Sequence, residues 1–299
     1  MNTRMRWGLI LAVILAADSV FAGKAQDKAE DALASLDRSV KPAYEVSLGL
    51  VSEAGVDGGG DASMVEVGAD WQFAYFVNVL GGDIDLNLDT DWIFLNNSGP
   101  VDLPEHLSTV ALNAGGTWRY VNSMVLEARL KPGLYWDMKE FGAGPFYVPF
   151  SVVGMKGFNP NVAGQLGAEV RPGFEREIVP VLGVACRLQN RLYLKAGIPE
   201  SRLTYYATSW IVPYLGLDWQ SMTYGLGDQD GISDREFTIE DWRFYGGLRV
   251  RVSEEMQLAG EVGKAFARDF EFDPAPAGGD GDVNGDDAVF FRVALLGPF

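Results

Sequence analysis

Few side chains in this 299-residue sequence are of the kinds that carry out chemistry. His106 is the single histidine, and Ser108 lies two residues further on. A hydrolytic pair needs a base held beside its nucleophile by a third group, and this spacing defines neither partner. One histidine and one cysteine, Cys186, cannot build a multi-histidine or thiolate zinc site, and a lone cysteine excludes an intrachain disulfide. No catalytic set is expected, and the chain reads as a non-enzyme.

The sharper chemical signal is Asp280-Gly281-Asp282-Val283-Asn284-Gly285-Asp286-Asp287. Oxygen ligands at alternate positions, Asp280, Asp282, Asn284 and Asp286, with a glycine at the sixth, match the first half of a calcium loop. The twelfth position is Phe291 where such a loop places a glutamate, so the alternative is a solvated acidic loop. Calcium here is the one cofactor the sequence suggests. Asp57 to Asp61, with three glycines between two aspartates, is a weaker version of the same pattern.

Charged residues also recur with a period of two. Glu66, Asp70, Asp83, Asp85, Asp89 and Asp91 alternate with apolar residues over two consecutive segments, while Arg129, Lys131, Arg187, Lys195, Arg202, Arg243, Arg249, Arg251 and Arg292 do so further along. Such a row cannot face a protein core without partners. It can face water inside a closed sheet whose outside is lipid. An acidic wall opposite a basic wall would then set a transverse field across a water-filled lumen; the alternative is that the two walls pair and fill it.

The elements that must position these groups are strands. Tyr44, Val46, Leu48 and Leu50 share a face; Val65 to Val79 and Ile84 to Phe94 continue the alternation on either side of a Gly81-Gly82 turn. Further strands are predicted at Val110–Tyr120, Met124–Trp136, Phe146–Gly154, Val162–Val170, Ile178–Leu188, Leu192–Gly197, Arg202–Tyr206, Ile211–Thr223, Phe237–Val252, Met256–Phe266 and Ala288–Phe299. That makes about fourteen, with twelve as the alternative count. Short turns alternate with longer Gly- and Asp-rich loops, Ile198 to Ser201 excepted, as expected of a barrel with short periplasmic turns and longer extracellular loops. Trp92, Phe94, Trp136, Trp219, Tyr224 and Trp242 are placed near one rim, and Trp118, Tyr120, Trp210 and Phe290 or Phe299 near the other, as two interfacial girdles, with Trp71 mid-strand and Phe290 inward by parity. Pro132, Pro149, Pro180 and Pro213 fall inside predicted strands, where each should mark a bulge or an end.

Residues 1–22 combine Arg4 and Arg6, a short apolar run and the small-residue close Val20-Phe21-Ala22, the pattern of a cleaved secretory signal. That run is too short to span a bilayer as a helix, and no later segment approaches the length required, so a membrane protein with this sequence would have to be a barrel. Residues 23–41 are predicted to be a periplasmic leader with helical spacing of Ala29, Leu33 and Leu36, and residues 42–299 the barrel. The formal net charge of −17 argues against nucleic acid as a partner.

Bacterial outer-membrane β-barrels commonly end, as this chain does, in an amphipathic strand closing on phenylalanine. Leu130 to Asp137, Ile178 to Tyr206 and Asp241 to Phe272 in addition resemble a domain-of-unknown-function family of such barrels. The resemblance covers mainly the last two-thirds of the chain and brings no catalytic residues. It implies an all-β antiparallel transmembrane barrel in the bacterial outer membrane, with outer-membrane lipid, lipopolysaccharide and the assembly machinery as partners and Phe299 as an assembly signal. The expected role is a passive channel for small polar solutes. A carrier of hydrophobic compounds with the leader as hatch, or a structural or adhesive barrel with cation-binding loops, are the alternatives.

Overall fold

In the computed structural model the described residues are 43–99, 103–138, 145–227, 235–275 and 281–297. They form strands β1 (Tyr44–Gly55), β2 (Asp61–Val79), β3 (Gly82–Asn97), β4 (His106–Tyr120), β5 (Met124–Leu130), β6 (Gly133–Trp136), β7 (Phe146–Tyr147), β8 (Phe150–Asn159) and β9 (Val162–Val170). They continue with β10 (Ile178–Gln189), β11 (Leu192–Ile198), β12 (Glu200–Tyr205), β13 (Ile211–Leu226), β14 (Arg235–Arg251), β15 (Gln257–Asp273), β16 (Asp282–Gly285) and β17 (Ala288–Leu296). Three pairs, β5 with β6, β7 with β8, and β16 with β17, are the two halves of one stave each. The seventeen segments therefore make fourteen staves. Neighbours in sequence pair antiparallel, and β17 returns to β1 from Leu296↔Glu45 to Phe290↔Val51, which closes the barrel.

Alternation sets what each face carries. Val46, Leu48 and Leu50 of β1, Leu88 of β3, Leu112 of β4, Leu182 and Val184 of β10, Leu248 of β14 and Val293 of β17 are all exposed on the outside. Their neighbours Gly49, Val51, Asn87, Asn113, Ala185 and Ala294 are buried inside. The strands at Phe146 and Ile178, apolar on both faces in sequence, are sorted by the same parity. Met155, Ala163, Val179 and Ala185 point inward, and Leu166, Leu182 and Val184 point outward.

Prolines sit where a ladder bond is not required. Pro132 separates β5 from β6, and Pro149 separates β7 from β8. Pro180 lies on β10 above the end of its pairing with β11, and Pro213 lies on β13 just beyond its pairing with β12. One edge of the chain is therefore unpaired at both positions, which is where a residue without an N–H is tolerated. The alternation predicted through β2 fails at two places, between Gln72 and Ala74 and between Phe76 and Val79. The first, a bulge, reverses the parity, so Tyr75 opposes Asp85 on the inside and Phe76 opposes Ile84 on the outside.

The staves differ in height. β9 to β12 stop low, with β11 and β12 joined through Pro199 alone, whereas β1 to β4 and β13 to β15 run well beyond them. Above the short staves, Gly225 of β13 forms a parallel bridge with Trp136 of β6. Val56 bridges to Gly285, and Asp286 N–H donates to Gly55 O at 2.7 Å. The outer end is thus a smaller ring of β1 to β4, β6 and β13 to β16, set on the wider barrel. Segments predicted as loops, around Gly225–Glu236 and Arg268–Asp287, contain strand because this collar continues the ladders upward.

Candidate functional site

The inward faces of the wider barrel meet in charged pairs. Arg243 on β14 donates through Nη1 and Nη2 to both oxygens of Glu66 on β2, at 2.7 and 2.6 Å, and through Nε to Asp241 at 3.0 Å. Arg243 and Asp241 are almost entirely buried, with side chains 4% and 1% exposed. On the opposite arc Lys131 reaches Asp89 at 3.0 Å, Arg129 reaches Asp85 at 3.2 Å and pairs with Glu127, and Arg119 reaches Asp83 at 2.8 Å. The predicted walls of opposite sign are therefore joined to each other and do not confront one another across open water. The reason is parity across neighbouring staves: Asp85 opposes Gly115, which in turn opposes Arg129, and glycine leaves the guanidinium room to cross.

A second network lies on β11 to β15 and β17. Glu200 accepts from Lys195 at 2.9 Å and pairs with Arg202 at 3.2 Å. The Tyr245 hydroxyl donates to Asp218 at 2.6 Å and accepts from Arg202 at 3.0 Å. Tyr214 donates to Glu261 at 2.7 Å, and Arg292 donates to the same carboxylate at 2.6 Å. Tyr214 and Tyr245 lie flat over glycines. A Cβ on Gly247 would stand 2.4 Å from the Tyr214 ring, and one on Gly216 would stand 2.2 Å from the Tyr245 ring.

Inside the collar the lining turns apolar. Met64, Leu95, Leu107, Tyr224, Phe237, Phe270, Phe272 and Phe290 form one buried cluster, with Phe237 and Phe270 stacked at 6.2 Å. From the β9–β10 connection Phe174 packs edge-on to Tyr135 at 5.2 Å, and Arg171 Nη1 donates to Ser221 O at 2.7 Å. Tyr147 donates to Glu236 at 2.5 Å, and Pro145 lies against Gly225. Among the described residues these contacts pack the outer end. Tyr224, predicted for the rim, belongs to this packed core, because it shares the inward parity of Met222.

The remaining predicted residues fall as follows. Asp70, Asp91 and Arg249 project inward on their staves; Arg187 faces inward beside Tyr193, its guanidinium 5.7 Å from that ring; Arg251 is exposed at the turn-side rim. His106 is the first residue of β4, edge-on to Phe94 at 5.4 Å and 4.0 Å from Glu105, and Ser108 is buried two residues on. Asp282 and Asn284 stand on strand β16, where period-two spacing keeps them extended along the edge; Asn284 donates to Asp57 at 3.1 Å. Among the described residues no three acidic, histidine or cysteine groups converge as a metal centre. Asp280, Phe299, the signal over 1–22 and the leader over 23–41 lie outside the described residues.

Asp218, Asp241, Tyr214, Tyr245 and Glu261 escaped the sequence reading, although all share the inward face. Asp241 and Tyr245 stand two residues either side of Arg243, so the period of two pointed to them. Tyr214 and Tyr245 carry no charge, and Asp218, Asp241 and Glu261 do not belong to an alternating acidic row.

The decisive observation is the contrast between the two faces. Exposed leucine, valine and phenylalanine run round the outside of a closed sheet, every stave's backbone is paired, and ionised groups are held within. In water such an apolar girdle would be far larger than the patches a soluble monomer exposes; in a bilayer it is the required surface. This is a transmembrane β-barrel. No protein-family model and no curated protein matches the sequence. Among solved structures, the barrel is similar to the KdgM porin at 9% identity, over 85% of this chain and 99% of that one, with a TM-score of 0.38. It is also similar to OpdQ of Pseudomonas aeruginosa (8% identity, 86% and 99% covered, TM-score 0.35) and to the Pseudomonas putida toluene transporter TodX (9%, 94% and 95%, 0.35). The membrane placement of the barrel rests on its outer surface, not on these likenesses.

Proposed function

We propose that this barrel is a channel for small polar solutes that is shut at its outer end and opens where the collar meets the short staves. The observation that supports it is the lumen of the wider barrel. It is lined largely by ionised groups of both signs, with small apolar clusters at Val125, Met155 and Ala163 and at Ala259, Ala294 and Leu296, while the large apolar cluster packs the collar above. A barrel whose sole role was mechanical would gain little from ion pairs in its wide half, where apolar filling is at least as stabilising. A carrier of hydrophobic compounds needs an apolar cavity, and the cavity in this lumen is bordered by Arg202, Arg249, Arg292, Glu45 and Glu261.

The reading is tested by planar-bilayer recording of the folded protein. Infrequent ion-conducting steps are expected, and Asp83→Asn, Asp85→Asn and Asp89→Asn together should move selectivity towards anions. A folded barrel that never conducts at any applied potential would sink it. The export signal over 1–22, the periplasmic leader over 23–41, contacts with lipopolysaccharide and recognition of Phe299 by the assembly machinery belong to the same proposal. Deleting Phe299 should lower the amount of protein inserted in the outer membrane while leaving the selectivity of inserted molecules unchanged. Normal insertion after the deletion would remove its signal role.

A further inference from the structure

We propose that the turn-side half of the lumen holds a binding site for a small oxyanion, a carboxylate or a phosphate, centred on Arg249. The site is a cavity enclosing about 410 Å³ of empty space, part of it open to solvent. It exists because of residue size along one register row. Arg249 on β14 opposes Ala259 on β15, which opposes Ala294 on β17, so on that side the long side chain meets only small residues, with Val212 of β13 opposite it on the other. In the next row Gly247, Glu261, Arg292 and Gly49 stand in line, and the glycines again leave space.

Charge decides what the space accepts. Arg202, Arg249 and Arg292 border it with two carboxylates, Glu45 and Glu261, an excess of one positive charge. Arg292 is held by Glu261, and Arg202 by Glu200 and the Tyr245 hydroxyl. Arg249 makes no ion pair or hydrogen bond through its side chain among the described residues, and its Nε is buried without an acceptor. Arg249 is half-buried at the cavity wall; a buried N–H without an acceptor is costly, and the planar guanidinium fork that carries it fits two oxygens of one carboxylate or phosphate. A metal cation is disfavoured by the same excess, and an apolar ligand by the charged lining.

The assignment rests on the channel reading only in treating the anion as a solute, and binding can be measured without transport. Full-length folded barrel in detergent would be titrated calorimetrically with inorganic phosphate and, separately, with acetate, at constant chloride. Saturable binding of at least one is expected, and the stronger of the two identifies the oxyanion class. Arg249→Gln should weaken it by about tenfold or more, as loss of a charge-assisted bidentate contact implies. Arg187→Gln, on another arc of the wall, should leave it unchanged. Ala259→Leu keeps every charge and fills the cavity, and it should abolish binding. Binding undiminished in both Arg249→Gln and Ala259→Leu, or no saturable binding to the unaltered protein, would overturn the site. Binding without conductance would sink the channel and keep the site; conductance without binding would do the reverse.

Discussion

Arg243→Ala is expected to lower the stability of the folded barrel by about 3–5 kcal/mol, the cost of leaving buried ionised partners without their counter-charge. Two carboxylates depend on this one guanidinium, Glu66 from a stave 177 residues away in sequence and Asp241 from its own strand. Without it Asp241 is left almost wholly buried and Glu66 largely so, next to Phe290, over whose ring Arg243 now lies at 5.5 Å. Arg243→Met would restore the packing and not the charge, so it should be nearly as harmful. Replacing all three, Arg243→Met with Glu66→Leu and Asp241→Leu, should recover most of the loss, because no unpaired charge is then left inside. Urea-dependent folding into lipid vesicles measures the series. A loss below about 1 kcal/mol for Arg243→Ala would place the pair in solvent, where such contacts contribute little.

The second large effect concerns the closed end. Gly225→Val should raise the open fraction of the channel by roughly 5- to 30-fold, the change in an equilibrium that one or two kcal/mol produces. A Cβ at Gly225 would stand 1.9 Å from Pro145 Cδ and 2.4 Å from Cγ, so the chain leading into β7 must leave β13. Overpacking of this kind costs about 1–3 kcal/mol. That cost falls on the seam where β13 meets β6 through the single bridge Gly225↔Trp136. Below the seam the ladders are long and antiparallel, as from Ile211↔Val250 to Leu226↔Arg235, so the rest of the barrel should hold. Single-channel recording of wild type and variant in the same bilayer gives the ratio. An unchanged open fraction, with the variant folded, would mean that the seam is not where the channel opens.

The alternation of side chains carried much of this structure in advance. Asp83, Asp85, Asn87, Asp89 and Asp91 in a row, with Ile84, Leu86 and Leu88 between them and Trp92 and Phe94 following on the same face, have only one arrangement that avoids burying naked charge in lipid. The inward placement of Arg129, Lys131, Arg243 and Arg249 follows from the same period. Turn residues mark the hairpins to within a few positions, whereas nothing in the alternation marks the bulge between Gln72 and Ala74 that moves Tyr75 to the inner face.

What the alternation could not contain was contact between staves distant in sequence. That Arg243 meets Glu66, that Arg129 crosses Gly115 to reach Asp85, and that Arg249 stands in a row with Ala259 and Ala294 depend on register and stave order around the closed sheet. The collar is of the same kind. β11 and β12 read in sequence as merely short, and only in three dimensions does their low rim let β13 lean to β6 and bring Tyr224, Phe237 and Phe270 together. By itself, then, the sequence determined a transmembrane barrel, its two faces and its approximate number of staves, because a period of two is a local property of the backbone. Whether the charges faced water or each other, and whether the lumen ran through or ended in a packed cap, was decided by the tertiary structure, because pairing and closure are properties of residues that meet only when the sheet is closed.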